Sequence, residues 1–129
     1  MPVITITVPL EPPSVNHYVK HTRSGRHYKT PEAIAFQQAL ALFAKHQSIK
    51  AKAYRVHYTV YQGKGSRGDV DNYAKCILDG MVHAGVIHSD AAITELSMAK
   101  QRDWENPRTE IRVEGVVNDS ASKTAPSLI

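Results

Sequence analysis

Cysteine is almost absent from this chain. Cys76 is the one thiol, so no intrachain disulfide can form, and a reducing, intracellular setting, the cytoplasm, is expected. Apolar runs are short, and none approaches the roughly 20 residues that a membrane-spanning helix needs. The opening MPVITITVPLEPP has neither a basic start nor a small-residue cleavage site, which argues against a secretion signal. Acidic residues are scarce in the first half. Residues 1–68 hold ten lysines and arginines against only Glu11 and Glu32, and nothing acidic lies between Ala33 and Gly68. Residues 69–129 reverse this, with six basic residues against ten acidic ones, so the net charge of +4 hides two opposed halves. A basic surface beside a carboxylate cluster suits a polyanion held against a metal site; a solvated surface of uneven charge accounts for the composition equally well.

What is present is the make-up of an ordinary soluble domain: 129 residues, 42% hydrophobic and 22% charged. That length suits one domain with a real core. Val3 to Val8 alternates, with Ile4, Ile6 and Val8 on one side, and predicts a first strand. Pro9, Pro12 and Pro13 end it, and the chain is expected to stay irregular through Thr30. This long loop carries Lys20, Arg23, Arg26 and Lys29 among Tyr18, Tyr28 and three histidines. Cations can pair with phosphates and tyrosine rings can stack on unpaired bases, so these residues are candidate nucleic-acid contacts, against the plainer reading of a mobile polar surface loop. Thr30-Pro31 marks a helix start, and Ala33, Phe36, Leu40, Phe43 and Ala44 predict a packing helix over 31–46 with its aromatics in the core.

Ala53 to Tyr61 alternates again and predicts a half-buried strand. QGKGSRG, residues 62–68, then reads as a flexible loop bringing Lys64 and Arg67 toward the aspartates; it does not fit a phosphate-binding P-loop. Val70, Tyr73, Ala74, Ile77, Leu78 and Met81 predict one amphipathic helix from Val70 to about His83, ended by Gly85, with Cys76 an inert packed thiol. Two strands follow, 93–101 and 109–114, with the turn DWENP suggesting a hairpin between them. The expected fold is α/β: a small mixed, partly antiparallel sheet with two main helices packed on it, one domain over 1–115 and a disordered tail over 116–129.

The chemistry gathers between Gly68 and Asp90. Asp69 and Asp71 sit at the start of the predicted helix, where free N–H groups favour anions, and Lys75 follows one turn on. Carboxylate oxygens are hard ligands that point to Mg²⁺ or Mn²⁺ rather than zinc. Spacing alone leaves a plainer account open, with an aspartate capping the helix and Lys75 paired to Asp71 or Asp79. An EF-hand is excluded, because counting from Asp69 puts Ala74 and Gly80 where glycine and glutamate are required. No Gly-x-Ser-x-Gly motif and no convincing Cys–His pairing offers covalent catalysis.

The run Gly68-Asp69-Val70-Asp71-Asn72-Tyr73-Ala74-Lys75, then Asp79 and Ser89-Asp90 before the next strand, resembles the RusA family of Holliday junction resolvases. Pro12-Pro13-Ser14-Val15-Asn16-His17-Tyr18 is similar to the family's opening, so the resemblance covers residues 1 to about 115. It implies a homodimeric crossover junction endodeoxyribonuclease that needs Mg²⁺, with Mn²⁺ as a substitute, and cuts two opposed strands of branched DNA, a four-way junction, in recombination and repair. It implies Asp69, Asp71 and Asp90 as metal-binding catalytic carboxylates, Lys75 as the catalytic lysine, and Asn16 and Asn72 as support. The chain departs from the family where Ser89 and Ala92 replace a usual acid and a usual glutamine, which touches substrate positioning. Two rival activities remain at this level: junction binding without hydrolysis, and a nuclease of the same chemistry acting on flaps or forks.

Overall fold

The computed structural model describes residues 2–21 and 23–116. The expected tail lies outside them apart from Val116, which ends the last strand. The strands are β1 (Val3–Val8), β2 (Val19–His21), β3 (His27–Lys29), β4 (Ala53–Gln62), β5 (Ile93–Arg102) and β6 (Arg108–Val116). The helices are α1 (Pro31–Ala44) and α2 (Ala74–His83), with short 3₁₀ turns at Val15–His17, Val70–Tyr73 and Asp90–Ala92. The main sheet has the order β1-β6-β4-β5, and β2 and β3 form a separate two-stranded ribbon.

The alternation in sequence becomes two unlike sheet faces. Ile4, Ile6, Val8, Tyr54, Val56, Tyr58, Val60, Ile111 and Val113 are buried in one core with Phe36 and Leu40 of α1 and Ile77 and Met81 of α2. The opposite face is wet and ionic. Arg55 pairs with Glu95 at 3.5 Å and Arg112 with Glu114 at 3.2 Å, and His57 Nδ1 lies 2.7 Å from Ser97 Oγ. The result is a two-layer α/β arrangement with helices over one face only, as expected of a sheet that is mostly antiparallel.

The start of α1 and the end of α2 follow local chemistry. Thr30 Oγ1 accepts from Ala33 N at 3.3 Å with Pro31 at the first helical position, which settles the start of α1. α1 ends at Ala44, earlier than expected, because Lys45 and His46 adopt left-handed conformations at φ 54° and 60°. Phe43 is 40% exposed and so is not core; only Phe36 of the two aromatics is buried. Gly85, at φ 78°, closes α2 with a paired hydrogen-bond motif, Gly85 N to Val82 O and Val86 N to Met81 O, each 3.0 Å. Gly80 lets the helices touch: a Cβ there would sit 3.2 Å from both Gln37 Cγ and Leu40 Cδ1.

Three further expectations are corrected. The loop after β1 is not irregular throughout, since Val19 pairs with Lys29 and Lys20 with Tyr28 to form the β2–β3 ribbon. The helix beginning at Val70 is not continuous; a 3₁₀ turn over Val70–Tyr73 precedes α2, closed by Asn72 N to Asp69 O at 3.0 Å. β5 and β6 are not a hairpin. β5 runs parallel to β4 across the α2 connection, while β6 runs antiparallel to β4 on its other side. The DWENP turn therefore crosses the end of β4. Arg108 fixes that crossing, stacking 3.7 Å over the Tyr61 ring and pairing with Asp103 at 2.9 Å and Glu110 at 3.0 Å. Among the described residues no helix is long and apolar enough to cross a membrane. Leu40 is fully buried between the layers, so Leu40→Ala is expected to lower unfolding free energy by about 2–5 kcal/mol in urea titrations.

Candidate active site

Asp69 lies between two anchored pieces of chain. On its N-terminal side, the Gln62 side-chain amide, at the end of β4, donates to Gly68 O and to the Tyr73 hydroxyl, both at 2.8 Å. On its C-terminal side, the Tyr58 hydroxyl donates to Val70 O at 2.6 Å. Gly68 is required for this closeness, because a Cβ on it would fall on the buried Tyr73 ring and hydroxyl. Asp69 itself is extended and its carboxylate makes no capping hydrogen bond, so the capping account fails here although the position is right for it. Among the described residues, nothing donates a hydrogen bond or an ion pair to the carboxylates of Asp69, Asp71 or Asp90. Burial first, and then the Asp71 carboxylate, push the Tyr58 phenol up to about 12, which places Asp71 within electrostatic reach of that ring.

Asp69 and Asn72 open into a cleft of about 520 Å³ whose other wall includes Asn16, His17 and residues 65–68. The loop forming that wall is held, contrary to its reading as a flexible approach. Glu11 accepts from Gly63 N at 3.0 Å and from Ser66 Oγ at 2.6 Å. From the far side Arg102 donates to Gly63 O and Ser66 O, at 3.3 and 3.0 Å, and Lys100 donates to Gly68 O at 3.3 Å. Sequence reasoning missed Glu11, Gln62, Lys100 and Arg102. The only signal for Glu11 was its isolation as an acid in a basic half-chain, and periodicity carries none for the others.

The other expected site residues divide. Arg67 lines the cleft, and Lys64 is exposed on the same loop. Lys20 is exposed on β2 opposite Tyr28, and Arg23 and Arg26 lie in the ribbon's turn. Lys29 is different: its ammonium donates to Gln37 Oε1 at 2.8 Å and lies 3.2 Å from His83 Nε2, so it ties the ribbon's root to both helices. Lys75 is exposed and pairs with Asp79 at 3.7 Å. Asp90 opens into a separate groove of about 180 Å³ with Asp79, Val82, His83, His88 and Ser89. Among the described residues no three His, Cys, Asp or Glu side chains converge closely enough to hold a metal ion. The structure thus groups Asp69, Asn72, Asn16 and Arg67 and leaves Asp90 outside that group. Ser89 has work of its own, accepting from Ala91 N at 3.1 Å to cap the turn that carries Asp90. Cys76 is buried, and burial pushes its thiol up to about 12, in keeping with an inert packing role.

The profile of the family described as Endodeoxyribonuclease RusA matches residues 9–114. The chain belongs to the RusA family. Curated relatives named crossover junction endodeoxyribonuclease RusA include that of Escherichia coli strain K12, 26% identical over 122 residues, which are 92% of this chain and 100% of the relative. The Shigella sonnei protein is 25% identical with the same coverage. That of Enterobacteria phage 82 is 26% identical over 117 residues, 88% of this chain and 96% of its own. The match to the RusA profile takes in both walls of the cleft and Asp90, and begins just after β1. Replacing Gly68 by alanine is expected to cost about 1–3 kcal/mol through forced displacement of Tyr73, read as a thermal midpoint several degrees lower.

Proposed function

We propose that this chain is a metal-dependent endodeoxyribonuclease that resolves four-way DNA junctions, and that residues 1–115 act as a single nuclease domain. The observation that carries this reading is the RusA family match over residues 9–114, a span that includes Asn16, Asp69, Asp71, Asn72, Lys75 and Asp90. The local chemistry supports it. Asp69, Asp71 and Asp90 are exposed carboxylates with no protein partner among the described residues, which is the state of oxygen donors available to a hard divalent cation. They are the residues that would hold Mg²⁺ or Mn²⁺. The chemistry such an ion would supply there is polarisation of the phosphate and a lowered pKa for the attacking water.

The chain's own residues supply the rest. Asn16, Asn72 and the anchored loop shape a polar cleft for a phosphodiester beside Asp69. Lys75, one turn into the helical region, balances the charge that grows on the pentacovalent phosphate. The ribbon's Lys20, Arg23 and Arg26, with Lys64 and Arg67, pair with the flanking backbone. Water's oxygen bonds to phosphorus as the bond to the 3′ oxygen breaks, leaving a 3′-hydroxyl and a 5′-phosphate.

A homodimer completes the proposal. Two opposed strands need two equivalent sites, which a two-fold pair provides. Within one chain Asp90 faces a different groove from Asp69, and we infer that a second copy brings the third carboxylate to each pair. The same separation favours one rival, a junction-binding protein that does not hydrolyse; its signature is tight binding in EDTA with no cutting in Mg²⁺ or Mn²⁺.

On a synthetic four-way junction in Mg²⁺, Asp71→Asn and Lys75→Ala are each expected to lose roughly 10²-fold or more in cleavage rate while binding in EDTA survives. Cutting at the unsubstituted rate by either variant rules out its assigned role. Mixing Asp71→Asn chains with Asp90→Asn chains is expected to regain nicking of one strand, since one mixed site then holds all three carboxylates. A mixture as inactive as its parts shows instead that each chain uses its own Asp90.

A further inference from the structure

Lys75 and Asp79 are one turn apart on α2, with the ammonium 3.7 Å from Asp79 Oδ2. Pairs of this kind, open to water, ordinarily hold a lysine only loosely. Here the acid is fixed from its other side. The Tyr18 hydroxyl, on a side chain only 3% exposed, donates to the same Oδ2 at 2.6 Å. Tyr18 is held in turn by Gln37, whose amide donates to its oxygen at 3.2 Å and to Cys76 O at 3.0 Å. Gln37 Oε1 accepts from Lys29 at 2.8 Å. The chain of contacts runs Lys29, Gln37, Tyr18, Asp79, Lys75, from the root of the basic ribbon to the exposed lysine. Every member but the last is buried or half-buried, so the carboxylate's position is set by packing rather than by the lysine it meets.

We propose that Asp79, locked by the Tyr18 hydroxyl, is a positioning residue that holds the Lys75 ammonium at a fixed place on α2 for the cleavage step. This rests on Lys75 serving the reaction described above. Asp79 and Tyr18 touch no reacting atom; they act through Lys75. A lysine with four free torsions spends little time in any one place, and charge stabilisation in a transition state depends on placement made beforehand.

The experiment compares Tyr18→Phe, which keeps the buried ring and removes one hydroxyl, with Asp79→Asn and Asp79→Glu. Single-turnover junction cleavage in Mg²⁺ is expected to slow roughly tenfold in Tyr18→Phe and at least as much in Asp79→Asn, with junction affinity in EDTA within about twofold of the parent. Asp79→Glu keeps the charge and regains part of the rate. The double variant Tyr18→Phe, Asp79→Asn is no slower than Asp79→Asn alone, because Tyr18 acts through Asp79. In ¹³C,¹⁵N-labelled protein without DNA, the Lys75 Cε–Nζ correlation, assigned by its loss in Lys75→Ala, shifts in Tyr18→Phe and Asp79→Asn. Unchanged cleavage in Asp79→Asn, a loss matched by weaker DNA binding, or Lys75 resonances indifferent to both substitutions overturns the proposal. If the parent chain leaves junctions uncut, the functional reading fails, and the resonance comparison still decides whether Tyr18 and Asp79 hold Lys75.

Discussion

The side-chain amide of Gln62 is the fastening on which the cleft depends. It stands at the last position of β4, only 2% exposed, and its two N–H groups are both spent, one on Gly68 O and one on the Tyr73 hydroxyl. An amide buried this deeply must find partners, since leaving either group unpaired costs the full desolvation penalty. The pairing therefore decides the path of everything between the strand and the turn. Residues 63–67 must leave and return over one short span, and Glu11 on one side and Arg102 on the other close that span into a wall. Asp69 follows directly, with its direction set before any ligand arrives.

The two helices are joined by polarity as well as by core packing. Between α1 and α2 the contact narrows at Gly80, and the space beside it is shared by Leu40 and the polar Gln37. An amide in that place would be costly in an ordinary interface, but Gln37 meets Lys29, Tyr18 and Cys76 O at once. The ribbon β2–β3, which buries little of its own surface, borrows its rigidity there. Thr30 reinforces the root by donating to His17 O at 2.6 Å while capping α1. A small polar cluster thus fixes how an exposed basic arm leaves the body of the protein.

Much of this was legible in the sequence, and what was not shares a cause. Alternation in Val3–Val8, Ala53–Gln62 and Arg108–Val116 reports which side of a strand faces the core, so the strands and their buried faces were readable. Thr30-Pro31 and Gly85 are local instructions and were obeyed. Strand order is not local. Nothing in DWENP distinguishes a hairpin from a crossing, because the difference lies in Tyr61 waiting under Arg108 from another strand. The motif around Asp69 located the cleft, but the hydrogen bonds of Glu11, Gln62 and Arg102 join residues far apart in the chain and leave no periodic trace. Asp90 shows the limit most plainly. Its spacing from Asp71 is a property of the chain, whereas the groove it faces is a property of how β5 enters the sheet.

One feature of the sheet bears on how the protein comes into being. Among the described residues β1 pairs in the sheet with β6 alone, Val3 opposite Glu114 and Val8 opposite Thr109. β1 therefore has no strand partner until β6 has been made. α1, α2 and the parallel pair β4–β5 can assemble without β6, but Ile4, Ile6 and Val8, which also pack toward α1, lack their sheet neighbour until β6 is made. Long-range pairing of this kind slows folding, since the loop must be closed before the contact repays it. It also leaves a short apolar strand exposed to its neighbours in the meantime. β1 and β6 thus meet last, and their meeting is what turns a nascent α/β layer into a finished sheet.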